Sequence, residues 1–197
     1  MTAEIVSLDA RAVQATVGVV SRAGPPDLRR PTPCGDWSLG DLLSHMIAQH
    51  DGFAAAAAGD GDDPARWRVR PVAEPVAEYR AAAGRVLAAF GADGVLDRDF
   101  ALPEISPVRR FPAAQAISFH FVDYVVHGWD VARSLGLDYR LEPDLLAAAL
   151  PVAQAVPDGE QRLAPMAAFA PRVAASADMG TLDQIVAMLG RRPSWPA

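Results

Sequence analysis

Apolar residues recur along most of the chain at the three-to-four-residue spacing of helices packed on one face, and clusters of Pro and Gly interrupt them. From Glu4 to Arg22, Ile5, Leu8, Ala12, Ala15 and Val19 hold that spacing until Gly24-Pro25-Pro26 stops it. A loop, Pro31-Thr32-Pro33-Cys34-Gly35-Asp36-Trp37, leads to Ser38, which opens a second helix with Asp41 where a capping box usually has Glu. Leu39, Leu42, Leu43, Met46 and Ile47 then fill the i, i+3, i+4, i+7, i+8 template. Asp60-Gly61-Asp62-Asp63-Pro64 breaks this helix, and a third runs from Glu74 to Phe90. The stretch from Gly91 to Pro112 reads as irregular and partly extended, because Pro103, Pro107 and Pro112 forbid a continuous helix. A fourth helix spans Ala113 to Leu135 and stops at Gly136. Shorter helices follow over Glu142 to Ala153 and Leu182 to Leu189, before Gly190-Arg191-Arg192-Pro193. No internal repeat stands out, and no period-2 pattern is strong enough to predict a sheet. The expectation is an all-α fold in one domain, with a four-helix bundle over residues 1–140 and a C-terminal helical extension packed on it over 141–197.

The fourth helix carries a polar stripe. Within Phe119-His120-Phe121-Val122-Asp123-Tyr124-Val125-Val126-His127-Gly128-Trp129-Asp130, Asp123 and His127 sit one turn apart, with His120 and Asp130 near the same line. Phe121, Val122, Val125, Val126 and Trp129 cover the rest, and a helix apolar on most sides is buried. Buried carboxylate and imidazole groups need compensation, and a divalent metal supplies it. His45, at the edge of the apolar stripe of the second helix, can face the bundle interior and complete a His45-Asp123-His127 set on two helices. Three protein ligands leave coordination positions open, which suits catalysis better than a closed structural site. Asp130 and His120 are the candidate catalytic residues: Asp130 orients a ligand or relays a proton, whereas His120 either does likewise or belongs to a partly exposed face.

Other positions read more plainly. His50 lies about 140° round the helix from His45 and is expected to face solvent. Cys34 reads as a small structural hydrophobe, separated from the candidate site by about 10 Å of helical rise. Trp37 and Trp129 are expected to pack in core or loop, and Arg191 and Arg192 to be solvated. There is no phosphate-binding glycine loop, dinucleotide fingerprint, nucleophile elbow or C-x-x-C.

Composition narrows the classes. With 51% hydrophobic and 21% charged residues, the chain reads as globular rather than disordered. A net charge of −6 disfavours a nucleic-acid partner. No uncharged apolar run reaches the roughly 20 residues needed to cross a bilayer, so no membrane partner is expected. All 18 basic residues are Arg, which together with the Ala runs reads as a GC-rich coding bias. The lone Cys34 excludes an intrachain disulfide, and Met1 to Val6 lack the basic-then-apolar order of a signal peptide, so a cytoplasmic location is expected.

Thr32-Pro33-Cys34-Gly35-Asp36-Trp37-Ser38-Leu39-Gly40-Asp41-Leu42-Leu43-Ser44-His45-Met46 resembles the start of the metal-binding helix in mycothiol-dependent maleylpyruvate isomerase N-terminal-like proteins, within the wider DinB-like superfamily. Asp123-Tyr124-Val125-Val126-His127-Gly128-Trp129-Asp130-Val131-Ala132 is similar to the second metal motif of that group, and Gly190-Arg191-Arg192-Pro193 to the ending of an actinobacterial branch. The resemblance implies an up-down-down-up bundle holding a divalent metal, zinc in the thiol-dependent members, on His45, Asp123 and His127. The isomerase has Glu where this chain has Asp123, and a larger C-terminal domain where this chain has a short tail.

The expectation is therefore a metal-dependent enzyme using a low-molecular-weight thiol, mycothiol, for isomerisation or S-transfer on a small electrophile. Its partners would be that thiol and a small-molecule substrate, with a homodimer as the candidate assembly. The competing readings are a metal-dependent hydrolase or biosynthetic enzyme on the same bundle, and a non-enzymatic metal-binding or interaction protein.

Overall fold

The structure is a computed structural model and describes residues 2–164, 167–176 and 178–196. Four long helices, α1 (Thr2–Val20), α2 (Leu39–Ala58), α3 (Pro75–Phe90) and α4 (Ala113–Leu135), are followed by the shorter α5 (Pro143–Ala155) and α6 (Thr181–Met188). The start of α2 follows from the local sequence: Ser38 Oγ accepts from the Asp41 amide at 3.2 Å, and the Asp41 carboxylate accepts from the Ser38 amide at 3.0 Å. Asp thus closes the capping box in place of Glu. Gly59 and Gly136 end α2 and α4 in the left-handed conformation, at φ +99° and +70°.

Side-chain contacts fix the direction of each helix. Asp9 meets His120 and Thr16 lies against Gly128, so α1 and α4 run the same way. His50 meets Tyr79, Asp51 pairs with Arg85 and Phe53 packs on Phe90, so α2 and α3 also run together. His45 faces His127, Met46 faces Tyr124 and His50 faces His120, so α2 and α4 are antiparallel. The bundle is up-down-down-up, as the sequence implied.

Its core is built from distinct apolar clusters. Near the start of α2, Leu42, Leu43, Met46, Tyr79, Ala83, Tyr124 and Val131 pack together. Towards the other end, Phe53, Phe90, Phe100, Phe111 and Ile117 do so. Fully burying one such side chain contributes roughly 1.5–3 kcal/mol, so the bundle has an apolar core apart from His45, Asp123 and His127. The helices α5 and α6 lay Leu145, Ala149, Ala153, Ile185, Val186 and Leu189 over Phe121, Val122, Val125, Val126 and Trp129 of α4. This third layer explains why α4 is apolar nearly all round. Arg162 ties the extension together by donating to the carbonyls of Pro157, Ala170 and Met188 at 2.7, 3.0 and 2.7 Å.

The irregular stretch contains one element not foreseen, a two-stranded antiparallel hairpin of β1 (Asp99–Ala101) and β2 (Arg110–Pro112). Phe100 and Phe111 face each other across it and both enter the core. The alternation is there, but over three residues per strand it is too short to register as a period. No helix among the described residues is long and apolar enough to cross a membrane.

Candidate metal centre

The antiparallel pairing of α2 and α4 brings His45 onto Asp123 and His127. Their ligand atoms all lie within 4.8 Å of one another. His127 Nε2 stands 3.4 Å from Asp123 Oδ1, and its ring is edge-on to that of His45 with centroids 5.4 Å apart. His127 is buried, while Asp123 and His45 are half-buried, so the set opens to solvent on one side. Trp37, 39% exposed, packs on the His45 ring at 4.8 Å and walls that opening. One turn beyond His45, Gln49 donates to Glu104 Oε2 at 2.8 Å, which draws the 102–106 turn over the same face.

The donor set suits a divalent cation. Asp130 Oδ2 accepts from His127 Nδ1 at 3.0 Å, which commits that nitrogen as a donor and leaves Nε2, on the side of Asp123, as the ligand atom. Burial, reinforced by the nearby His127 and opposed by Asp123, pushes the His45 imidazole down to about 4, so at neutral pH it keeps a free lone pair. Burial alone would lower His127 too, but Asp123, the Asp130 hydrogen bond and Cys34 outweigh it and raise the ring to about 10. Burial would raise Asp130, yet the Arg191 charge and the His127 hydrogen bond hold it near 2. The carboxylates of Asp123 and Asp130 favour positive charge on the His127 ring, and two imidazoles with a carboxylate are a fitting donor set for zinc or a similar divalent ion.

His120 lies elsewhere. Two turns before His127 on α4, it is fully buried, with Nδ1 2.6 Å from Asp9 Oδ1 and Nε2 3.1 Å from His50 Nδ1. The structure does not bring it to the other candidates. His50, expected to face solvent, is instead fully buried and stacked on Tyr124 at 4.0 Å. The reason is that α2 is enclosed by α3 on one flank and α4 on the other, so a position well away from the His45 face still points inward.

Two further expectations are overturned. Cys34 is not remote: its Sγ donates to Asp130 Oδ2 at 3.0 Å, and it forms with His127 and Asp130 a second compact group of ligand-type atoms. Helical rise was the wrong ruler, because the loop does not continue the axis. It turns back through Gly35 at φ +63°, pairs Pro31 with Ser38, and is pinned to α4 where Ser134 Oγ donates to the Pro31 carbonyl at 2.8 Å. Arg191 is not solvated either. It is buried, with Nη2 3.0 Å from Asp130 Oδ2. In sequence, the signs are the preceding Gly190 and the resemblance of Gly190-Arg191-Arg192-Pro193 to the ending of a branch of the group.

Comparison with known proteins places the chain in a known family and fold. The family model for the mycothiol maleylpyruvate isomerase N-terminal domain matches residues 10–132. Two relatives from Mycobacterium tuberculosis, the uncharacterized proteins MT0763 (strain CDC 1551 / Oshkosh) and Rv0738 (strain ATCC 25618 / H37Rv), are each 28% identical over 187 residues, covering 92% of this chain and 94% of theirs. The crystal structure of the mycothiol-dependent maleylpyruvate isomerase is similar in fold, with a TM-score of 0.57 at 12% identity over 79% of this chain and 68% of that one.

Proposed function

The chain belongs to the mycothiol maleylpyruvate isomerase N-terminal domain family, and from that premise we propose that it is a cytoplasmic, divalent-metal-dependent enzyme using mycothiol as cosubstrate on a small electrophile. The observation that carries this reading is the convergence of His45, Asp123 and His127 at one half-open site. The reading takes residues 1–140 as the bundle that bears the site and 141–197 as an extension of the same domain. It takes a second copy of the chain as the candidate assembly partner.

His45, Asp123 and His127 would hold the metal, zinc by preference, which when bound lowers the pKa of a coordinating thiol so that the thiolate is available near neutral pH. The chain's own groups do the rest. Asp130 keeps the His127 ring in one orientation, and Trp37 offers an apolar wall beside His45 for the cosubstrate or the electrophile. With an activated cis double bond, the thiolate sulfur adds to one alkene carbon and the former double bond rotates as a single bond. Elimination of the same thiolate then restores the double bond in the trans form. Nothing is oxidised, and the thiol is returned. With a substrate bearing a leaving group, the carbon–sulfur bond persists and the outcome is S-transfer.

The test is metal analysis of the purified protein, followed by turnover of electrophilic substrates with and without mycothiol in wild type, His45→Ala and Cys34→Ser. Stoichiometric metal, thiol-dependent turnover, loss in His45→Ala and retention in Cys34→Ser are expected. Turnover abolished in Cys34→Ser but retained in His45→Ala would reverse the assignment and make this a cysteine enzyme.

A further inference from the structure

Asp130 Oδ2 accepts from three donors at 3.0 Å each: His127 Nδ1 on α4, Cys34 Sγ in the loop before α2, and Arg191 Nη2 in the tail after α6. The third comes from outside the stretch that matches the family, residues 10–132. Its approach is built in. Gly190 turns the chain at φ +83°, and a Cβ there would run into the carbonyl and side chain of Ala170, so the tail doubles back at a residue that must be glycine. The Arg191 amide then donates to the Val186 carbonyl at 2.9 Å, Nη1 donates to the Leu189 carbonyl at 2.8 Å, and the guanidinium lies over Phe169. Nε lies 3.3 Å from both Asp130 oxygens, so the fork fixes the plane of the carboxylate as well as its charge.

We propose that Arg191 is a positioning residue of the metal centre, through which the C-terminal extension sets the ring of His127. The proposal rests on the reading of His45, Asp123 and His127 as metal ligands. The carboxylate that Arg191 grips is the one that holds His127 Nδ1. With its plane fixed, the imidazole cannot turn about its bond to Cβ, and Nε2 stays aimed towards Asp123. A tether alone would need none of this. Arg162 fastens the same extension through backbone carbonyls without touching Asp130, and Arg133 reaches the Pro193 carbonyl. The two kinds of arginine separate attachment of the tail from orientation of the ligand.

The experiment titrates metal-free wild type, Arg191→Met, Arg191→Lys and Arg162→Met with zinc for affinity and with cobalt(II) for its ligand-field spectrum. Removing an outer partner of a metal-bound histidine costs roughly 10- to 100-fold in metal affinity. That loss is expected in Arg191→Met, with an altered cobalt spectrum. Arg191→Lys keeps the charge but not the fork and should recover part of the affinity, while Arg162→Met should bind as wild type does. Because coupling is reciprocal, zinc should also slow amide exchange over α6 and the turn at Gly190 in wild type, and not in Arg191→Met. Equal zinc affinity in wild type and Arg191→Met would overturn the proposal and leave the metal site standing. An equal loss in Arg162→Met would reduce Arg191 to a tether and overturn it too. If wild type binds neither metal, the site itself is refuted, and this role with it.

Discussion

At the scale of single residues, metal uptake at the candidate centre would exchange one positive charge for another. Without metal, His127 is raised from its ordinary 6.5 to about 10 and carries a proton at neutral pH, whereas His45, lowered to about 4, does not. A metal needs a bare nitrogen, so uptake by His127 must expel that proton. Calorimetric titrations with zinc in buffers of different ionisation enthalpy should therefore show about one proton released per ion near pH 7–8. Affinity should climb with pH until His127 is deprotonated. The metal-free protein has the matching signature. A group raised on folding contributes stability that is full below its unfolded pKa, 6.5, and is lost as pH rises through about 10. His45 acts in the opposite direction, and its stabilising contribution is lost as pH falls from 6.5 towards 4. Zinc uptake with no proton release would show that His127 is not a ligand.

At the scale of elements, the close approach of α1 to α4 depends on Gly128, next to His127. A Cβ there would collide with the Tyr139 hydroxyl and with Thr16. Gly128→Ala should destabilise the fold by about 1–3 kcal/mol, as overpacking does, visible as a lower midpoint in urea, whereas Gly84→Ala, with open space around it, should not. Such contacts mark the limit of what the chain discloses when read by itself. The helices were legible because Leu39, Leu42, Leu43, Met46 and Ile47, and the stripe on α4, repeat at helical spacing, and because Ser38, Asp41, Gly59 and Gly136 mark the ends. His45, Asp123 and His127 could be brought together because two helix faces suffice to do so. The surroundings of Asp130 were not legible. Cys34 arrives on a loop that folds back, and Arg191 on a tail that reverses at Gly190, and neither path has a period. His50 was placed on the wrong side because one helix reveals its own apolar face, not how many neighbours will enclose it.

At the scale of the whole molecule, metal and fold should be linked but separable. A ligand that binds only the folded chain stabilises it by about 4 kcal/mol when its concentration exceeds Kd about a thousandfold. Chelation should lower the melting temperature while leaving a cooperative transition, since the phenylalanine and leucine core does not involve the site. A chelated protein without helical circular dichroism would mean that the metal is structural. The order of helix directions carries a further consequence, one that concerns time. The most extensive interface joins α1 to α4, which lie at the two ends of the bundle in sequence, and the parallel pairs oblige the chain to cross its full length between partners. Closing such distant segments is slow. During synthesis α1 emerges before α4, and its most extensive interface stays uncovered until α4 has left the ribosome. Until then Ala12, fully buried in the finished protein in one cluster with Phe121, Val122 and Val125, lacks those α4 neighbours. Newly made α1 is therefore the segment on which chaperones should act first.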